Sequence, residues 1–344
     1  MKQKMIYALV VAACSHAAMA DSGNVTISGM VRSSFQHVGH GNSTFYLGQD
    51  SSASQNQLDG RVDLTFAGTE DLGNGLATVW SVATRSSLDG TGSDEFGKFG
   101  AINNGGKLGS LESFIGLKGN FGQIRFGHGM DNYGDGKHNW FMVNGGEYFG
   151  SVTNPIYKDN NNVVRYDMPT IGNLDASIRL NLGENKTSST AAKNGVSIRA
   201  DYNTDSWDVG AAYAVQDGYA SPMGAFESTT GKLHQYNLTG AYRFINGLEL
   251  ALEYEHTKSD AGPAKKETTM YVNYPMGKWT IGGEVGRATN VGFTDGLKNK
   301  LYGVYGRYEL SKRTLAYAEY ISSKENSVGA TRSNLLTIGL AHFF

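Results

Sequence analysis

Apolar and polar residues alternate one by one along most of this chain. Leu248-Glu249-Leu250-Ala251-Leu252-Glu253-Tyr254-Glu255 puts leucine and tyrosine on one face and carboxylates on the other. A helix of that sequence would scatter its leucines around the axis, whereas a strand, with its two-residue period, gathers them. Val62, Leu64 and Phe66 interleave with Arg61, Asp63 and Thr65 in the same way. Leu174 to Leu180 and Val196 to Tyr202 repeat the pattern, which opens at Val25 to Arg32.

Short and long connections take turns between these segments. The short ones are 71–75, 120–122, 170–173, 204–206, 245–247, 275–277 and 310–313, and most carry the Gly, Asn or Asp that a tight hairpin turn needs. The long polar ones lie at 38–57, 86–111, 131–161, 184–194, 217–232, 259–267, 289–299 and 324–332. Seven tight turns and eight long loops join sixteen strands. Short turns at one rim and long loops at the other are the pattern of an outer-membrane barrel.

Composition agrees with an all-β chain. Glycine (46), tyrosine (19) and phenylalanine (15) are abundant, and the five prolines, Pro155, Pro169, Pro222, Pro263 and Pro275, fall in or beside the expected loops and turns. No apolar run beyond the first residues is long enough for a membrane helix, but a barrel hides its apolar signal in alternation. A secreted β-sandwich would alternate too, with a polar outward face. Sixteen strands instead enclose a wet lumen, so the apolar face turns to lipid. Trp80, Trp207, Tyr242, Tyr274, Trp279 and Tyr308, near strand ends, suit the headgroup zone.

The first residues predict export. Lys2 and Lys4 precede a short apolar stretch, Met5 to Ala13, and Ala18-Met19-Ala20 offers a cleavage site, giving a signal over 1–20 and one barrel domain over 21–344. Val11-Ala12-Ala13-Cys14 loosely fits a lipid-attachment site, at the cost of an unusually short signal. Cleavage after Ala20 removes the single cysteine. It leaves 28 Lys+Arg against 32 Asp+Glu, a net charge of −4 that argues against nucleic acid as a partner. Leu336, Ile338, Leu340, His342 and Phe344 share one face of the last strand.

Several blocks resemble the general, trimeric porins of Gram-negative bacteria, particularly the neisserial and β-proteobacterial type. They are Gly68-Thr69-Glu70-Asp71-Leu72-Gly73-Asn74-Gly75-Leu76, Ser113 to Gly122, Asn162 to Asp167, Leu310 to Thr314 and the terminal Phe344. The resemblance implies a 16-stranded antiparallel transmembrane β-barrel with a constriction loop folded into the lumen, and a homotrimer in the bacterial outer membrane. It also implies that the barrel assembly machinery reads Phe344 during biogenesis. The implied function is passive diffusion of ions and small hydrophilic solutes through a water-filled channel, with no enzyme activity and no cofactor.

Alternation places Arg32, Arg61, Arg85, Arg125, Arg165, Arg179 and Arg199 in the lumen, as a basic ladder on one wall. Segment 131–161, at the position of the family's constriction loop, carries Asp131, Asp135 and Glu147, so acidic loop and basic wall would set up a transverse field. Each arginine could instead pair locally with Asp63, Asp167, Asp175 or Asp201, and Glu249, Glu253, Glu255 and Glu284 could offset the ladder. A second functional reading is a channel selective for sugars or organic acids, with Trp140 and Phe141 forming a weak binding site; a third is an adhesive surface protein. Gly105-Gly106-Lys107-Leu108 lacks the hydroxyl residue of a phosphate loop, and His37 and His40 lack a third metal ligand. No nucleophile, base and acid fall in a catalytic pattern.

Overall fold

A computed structural model describes residues 23–39, 54–88, 108–136, 138, 140–142, 162–183, 186–189, 192–219, 229–260 and 262–344. The expected export signal, Gly145-Gly146 and Glu147 lie outside the described residues. The strands are β1 (Gly23–Val38), β2 (Gln55–Gly73), β3 (Leu76–Ser87), β4 (Ser113–Gly119), β5 (Gly122–His128), β6 (Val163–Asp167), β7 (Leu174–Asn181) and β8 (Gly195–Asn203). They continue as β9 (Trp207–Tyr219), β10 (Thr229–Arg243), β11 (Glu249–Ser259), β12 (Lys265–Met276), β13 (Trp279–Thr289), β14 (Lys298–Glu309), β15 (Thr314–Glu325) and β16 (Ser333–Phe343).

Each strand pairs antiparallel with its sequence neighbours, and β1 also pairs with β16, from Met30↔Phe343 to Val38↔Leu335, so the sheet closes on itself. Closure removes every sheet edge, which a spanning barrel requires because hydrocarbon offers no hydrogen bonds. The expected tight turns fall where the backbone reverses. At the first, Asn74 and Gly75 have φ of 54° and 76°, the positive pair of a hairpin turn whose twist matches its strands. Pro275 sits one residue before the end of β12, at the turn rim.

Side-chain exposure is inverted relative to a water-soluble protein. On β11 Leu250 and Leu252 are exposed while Glu249, Glu253 and Glu255 are buried. On β16 Leu336, Ile338 and Leu340 are exposed and Thr337 is buried. Such an apolar exterior is stable only against lipid. Near the turn rim, aromatic pairs project from the same outer face: Tyr202 stacks on Trp207 at 5.3 Å, and Trp279 meets Tyr308 at 4.8 Å. Phe344 closes the seam, exchanging two backbone hydrogen bonds with Gly29 at 2.9 and 3.1 Å.

Candidate pore site

The inner face carries two chemically opposite walls. On β5, β6 and β7, Arg125, Arg165 and Arg179 stand directly opposite one another in the sheet register. Arg32 and Arg61 face each other on β1 and β2 in the same way. Like charges at such cross-strand positions repel, so the wall holds only with carboxylates between them. Asp167 accepts from Arg125 at 2.7 Å and from Arg165 at 2.7 and 2.9 Å. Glu112 reaches Arg125 at 3.2 Å. Asp63 lies between Arg61 (3.2 Å) and Arg85 (2.7 Å), Asp201 holds Arg199 at 2.6 Å, and Asp59 meets Arg32 at 3.4 Å. Among the described residues Asp175 takes no arginine; it accepts from Thr170 and Asn203 at 2.6 and 3.2 Å.

The opposite wall, β11 to β15, is acidic. Glu249, Glu253 and Glu255 on β11, Glu267 on β12, Glu284 on β13 and Glu319 on β15 are buried on the inner face, and Glu255 stands opposite Glu267. Arg243 and Lys265 reach two of them, Glu249 at 3.2 Å and Glu267 at 3.9 Å.

The segment after β5 connects these walls. Asp131 lies 3.9 Å from Arg179, and Asp135 accepts from Arg165 at 2.6 Å. Asn132 accepts from the Ser197 hydroxyl at 2.5 Å, and Arg199 donates to the Tyr133 carbonyl at 3.0 Å. The chain then reaches the acidic side. The His138 backbone N–H donates to Glu253, and its ring lies 3.4 Å from the same carboxylate. Trp140 meets Tyr271 edge-on at 5.9 Å, and Phe141 meets Tyr305 edge-on at 5.0 Å. Met142 donates from its N–H to Glu319 and accepts at its carbonyl from Arg32. Gly303 makes room for Phe141, since a Cβ there would lie 2.7 Å from the ring.

These contacts fix which face is inside. Passing from β7 to β1 by way of β11, β12, β14 and β15 around the exterior crosses ten strand gaps, about 48 Å at ~4.8 Å each. From Asp131 to Met142 the chain spans at most about 40 Å fully extended. The described residues between 131 and 142 therefore lie in the interior, against the polar face.

Asp131 organises the start of the crossing. Its two carboxylate oxygens accept the Tyr133 and Gly134 backbone N–H groups at 3.0 and 2.9 Å, an Asx turn. Burial, and after it the negative charge of Asp135, push its pKa up to about 6, against the opposing pull of Arg179.

The arginines named from the sequence all lie on the inner face, but Asp131 and Asp135 do not oppose them across a gap. Asp135 is bonded to Arg165 and Asp131 lies beside Arg179, and the larger charge separation runs between the arginine and glutamate walls. Sequence reasoning missed Asp59, Tyr271, Tyr305 and Glu319, although their strand parity carries the same signal as that of the arginines. His138 and the Met142 backbone act from an irregular segment, where no period exists to read. Trp140 and Phe141 are both 8% exposed, packed against the wall rather than open to a solute.

Comparison with known proteins agrees with this architecture. The major outer membrane protein P.IB of Neisseria lactamica is 26% identical over 368 residues, covering 99% of this chain and 100% of that one. The P.IB protein of Neisseria meningitidis serogroup B is 33% identical over 195 residues, 53% of this chain and 50% of that one. Among solved structures, the anion-selective porin from Comamonas acidovorans superposes with a TM-score of 0.73 at 19% identity, covering 94% of this chain and all of that one. OmpT of Vibrio cholerae, folded in vitro, gives 0.66 at 14% identity, with coverage of 96% and 100%. The family model described as Gram-negative porin matches residues 8–327, and the chain belongs to that family of outer-membrane barrels, which form water-filled channels for passive diffusion of ions and small hydrophilic solutes.

Proposed function

We propose that the chain is one protomer of a homotrimeric general diffusion porin, non-catalytic, whose channel narrows where residues 131–142 cross it. The observation that carries this reading is the tethering of one short segment to both walls, with a carboxylate-to-arginine contact at one end and a backbone-to-glutamate contact at the other. A wet gap between an arginine wall and a glutamate wall holds a transverse field, which favours dipolar, hydrated solutes over apolar ones. The trimer is supported by the trimer form named for OmpT of Vibrio cholerae. Export through a cleaved signal over 1–20, with Phe344 presented to the barrel assembly machinery, completes the reading.

The test is reconstitution of the purified protein in planar bilayers. Stepwise ohmic conductance, in triplets for a trimer, is the expected result; protein that inserts without steps sinks the proposal. Replacing Arg61 and Arg125 by serine is expected to move the reversal potential toward cations. Burial of Trp140 and Phe141 weighs against a solute-selective channel built on those rings, so concentration-dependent block by one sugar or organic acid, absent for solutes of equal size, would favour that second reading.

A further inference from the structure

The outward face of the barrel changes character at the long-loop rim. From the apolar band outward, β14 presents Val304, Tyr302, Lys300 and Lys298, and β15 presents Ala318, Tyr320, Ser322 and Lys324. β13 passes from Val285 to Arg287, and β12 from Met270 through Thr268 to Lys266. Lys266, Arg287, Lys298, Lys300 and Lys324 are exposed, and the outward positions of β12 to β15 carry no carboxylate.

The cations are held in line by the sheet. Arg287 stands directly opposite Lys300, and Lys300 directly opposite Lys324. Two successive like-charge pairs across strands are unfavourable unless an anion lies over them. Among the described residues none of the three forms an ion pair. This differs from the arginine row inside, where carboxylates separate the guanidiniums. It also differs from the rim at β1 to β8, while β11 continues the cations with the exposed, outward Lys258. β1 to β8 present His37, Asn56, Leu58, Ser86, His128 and Val196 outward there, none with a permanent charge. The outward Lys232 of β10 lies 3.8 Å from Asp217.

Just below the row lies an aromatic and amide floor. The Tyr302 and Tyr320 rings are 6.3 Å apart, and the Tyr320 hydroxyl donates to Asn334 at 2.9 Å. Arg332 sits 5.2 Å above the Tyr302 ring and donates to Ser322 at 3.1 Å. Apolar band, tyrosine layer and cation row follow one another in the order of acyl chain, glycerol or sugar, and phosphate in a lipid leaflet.

We propose that Arg287, Lys300 and Lys324, with Lys266 and Arg332 at the flanks, form a binding site for the phosphorylated headgroup of an outer-leaflet lipid. The site lies on the side of the barrel formed by β12 to β16. Its central row covers about 10 Å, two strand spacings of ~4.8 Å, which suits a headgroup bearing more than one phosphate. Free phosphate shares the charge but gains nothing from the tyrosine floor or the apolar band below it. The proposal rests on the membrane orientation of the porin reading, with long loops outward.

The experiment titrates the detergent-solubilised protein with bisphosphorylated lipid A, monophosphorylated lipid A and phosphatidylcholine, with bound lipid counted by native mass spectrometry. The protein is expected to bind the bisphosphorylated form most tightly and phosphatidylcholine least. The triple variant Arg287→Gln, Lys300→Gln, Lys324→Gln is expected to bind on the order of a hundredfold more weakly, at the usual contribution of each cation beside an anionic surface. The control variant Lys278→Gln, Lys312→Gln, at the turn rim, is expected to bind as the parent does. Single-channel conductance reports separately on folding and on the porin reading, since no belt residue faces the lumen; Lys300→Gln and Lys324→Gln singly serve if the triple variant does not insert. Undiminished binding by a variant that conducts normally would overturn the proposal. So would displacement of the lipid by millimolar inorganic phosphate, which would make the row a free-anion site.

Discussion

The arginine wall and the glutamate wall are built from the same two-residue period, yet they hold the crossing segment by different physics. At β6 to β8 the tether is made of charges: Asp135 on Arg165, Asp131 near Arg179, and the Tyr133 carbonyl on Arg199. At β11 to β15 it is made of ring packing and backbone donors: Trp140 on Tyr271, Phe141 on Tyr305, and the N–H groups of His138 and Met142 on Glu253 and Glu319. A charged tether in a wet channel is screened by salt and responds to pH. Buried rings respond to neither. The segment therefore has one end held by charge alone and one end where ring packing, which solution conditions do not reach, adds to the polar contacts.

Removing a ring from the packed end gives the largest expected effect. Phe141→Ala loses a buried phenyl group and its edge-on contact with Tyr305, a change that costs about 3 kcal/mol where the ring is fully enclosed. Single-channel conductance is expected to rise as the segment lifts from β14, with little dependence on salt beyond that of bulk conductivity. Gly303→Val attacks the same contact from the wall side, because its Cβ would meet the Phe141 ring. If both variants conduct like the parent, the rings do not anchor the segment.

Much of the contrast between the walls is legible in the order of residues alone. The leucine and glutamate faces of 248–255 mark the inward carboxylates of β11, and the same parity marks every arginine of the other wall. Strand number follows from Gly, Asn and Asp at the turns, where positive φ leaves few alternatives. The partners are not legible. Asp167 can be matched to Arg165 by proximity in sequence, but its bond to Arg125 depends on the β5–β6 register. The docking of 131–142 is beyond reach for another reason. An irregular segment carries no period, and its contacts with Glu253 and Glu319 join residues 115 and 177 positions apart.

Loosening the charged end is expected to have a smaller effect that depends on salt. Arg165→Ala with Arg179→Ala leaves Asp135 and Asp131 without their nearest cations. Each charge-assisted contact contributes about 1 kcal/mol once its partial exposure to water is allowed for. Reversal potentials in a salt gradient should move toward cations, because two positive charges leave the wall. The conductance gain over the parent should be largest at low salt and shrink as screening replaces the lost contacts. A gain independent of ionic strength would mean that the arginine end holds by packing, and the contrast between the two walls would fail.

The smallest expected effect comes from a single proton on Asp131. Its pKa is raised from 3.8 to about 6, by burial first and by Asp135 second, so the docked segment favours the protonated acid. The penalty of the ionised form is absent well below pH 4, grows between pH 4 and pH 6, and is complete above that window. Docking should thus tighten, not weaken, as the solution is brought from pH 7 to pH 5, while the channel loses one negative charge beside Arg179 and Arg165. The reversal potential should shift toward anions over that interval. Asp131→Asn keeps an oxygen for the turn formed with the Tyr133 and Gly134 N–H groups, and at pH 7 it should already resemble the parent at pH 5. Because other lumen carboxylates also titrate, the decisive quantity is the difference between parent and variant. An equal pH shift in both would show that Asp131 keeps its charge throughout.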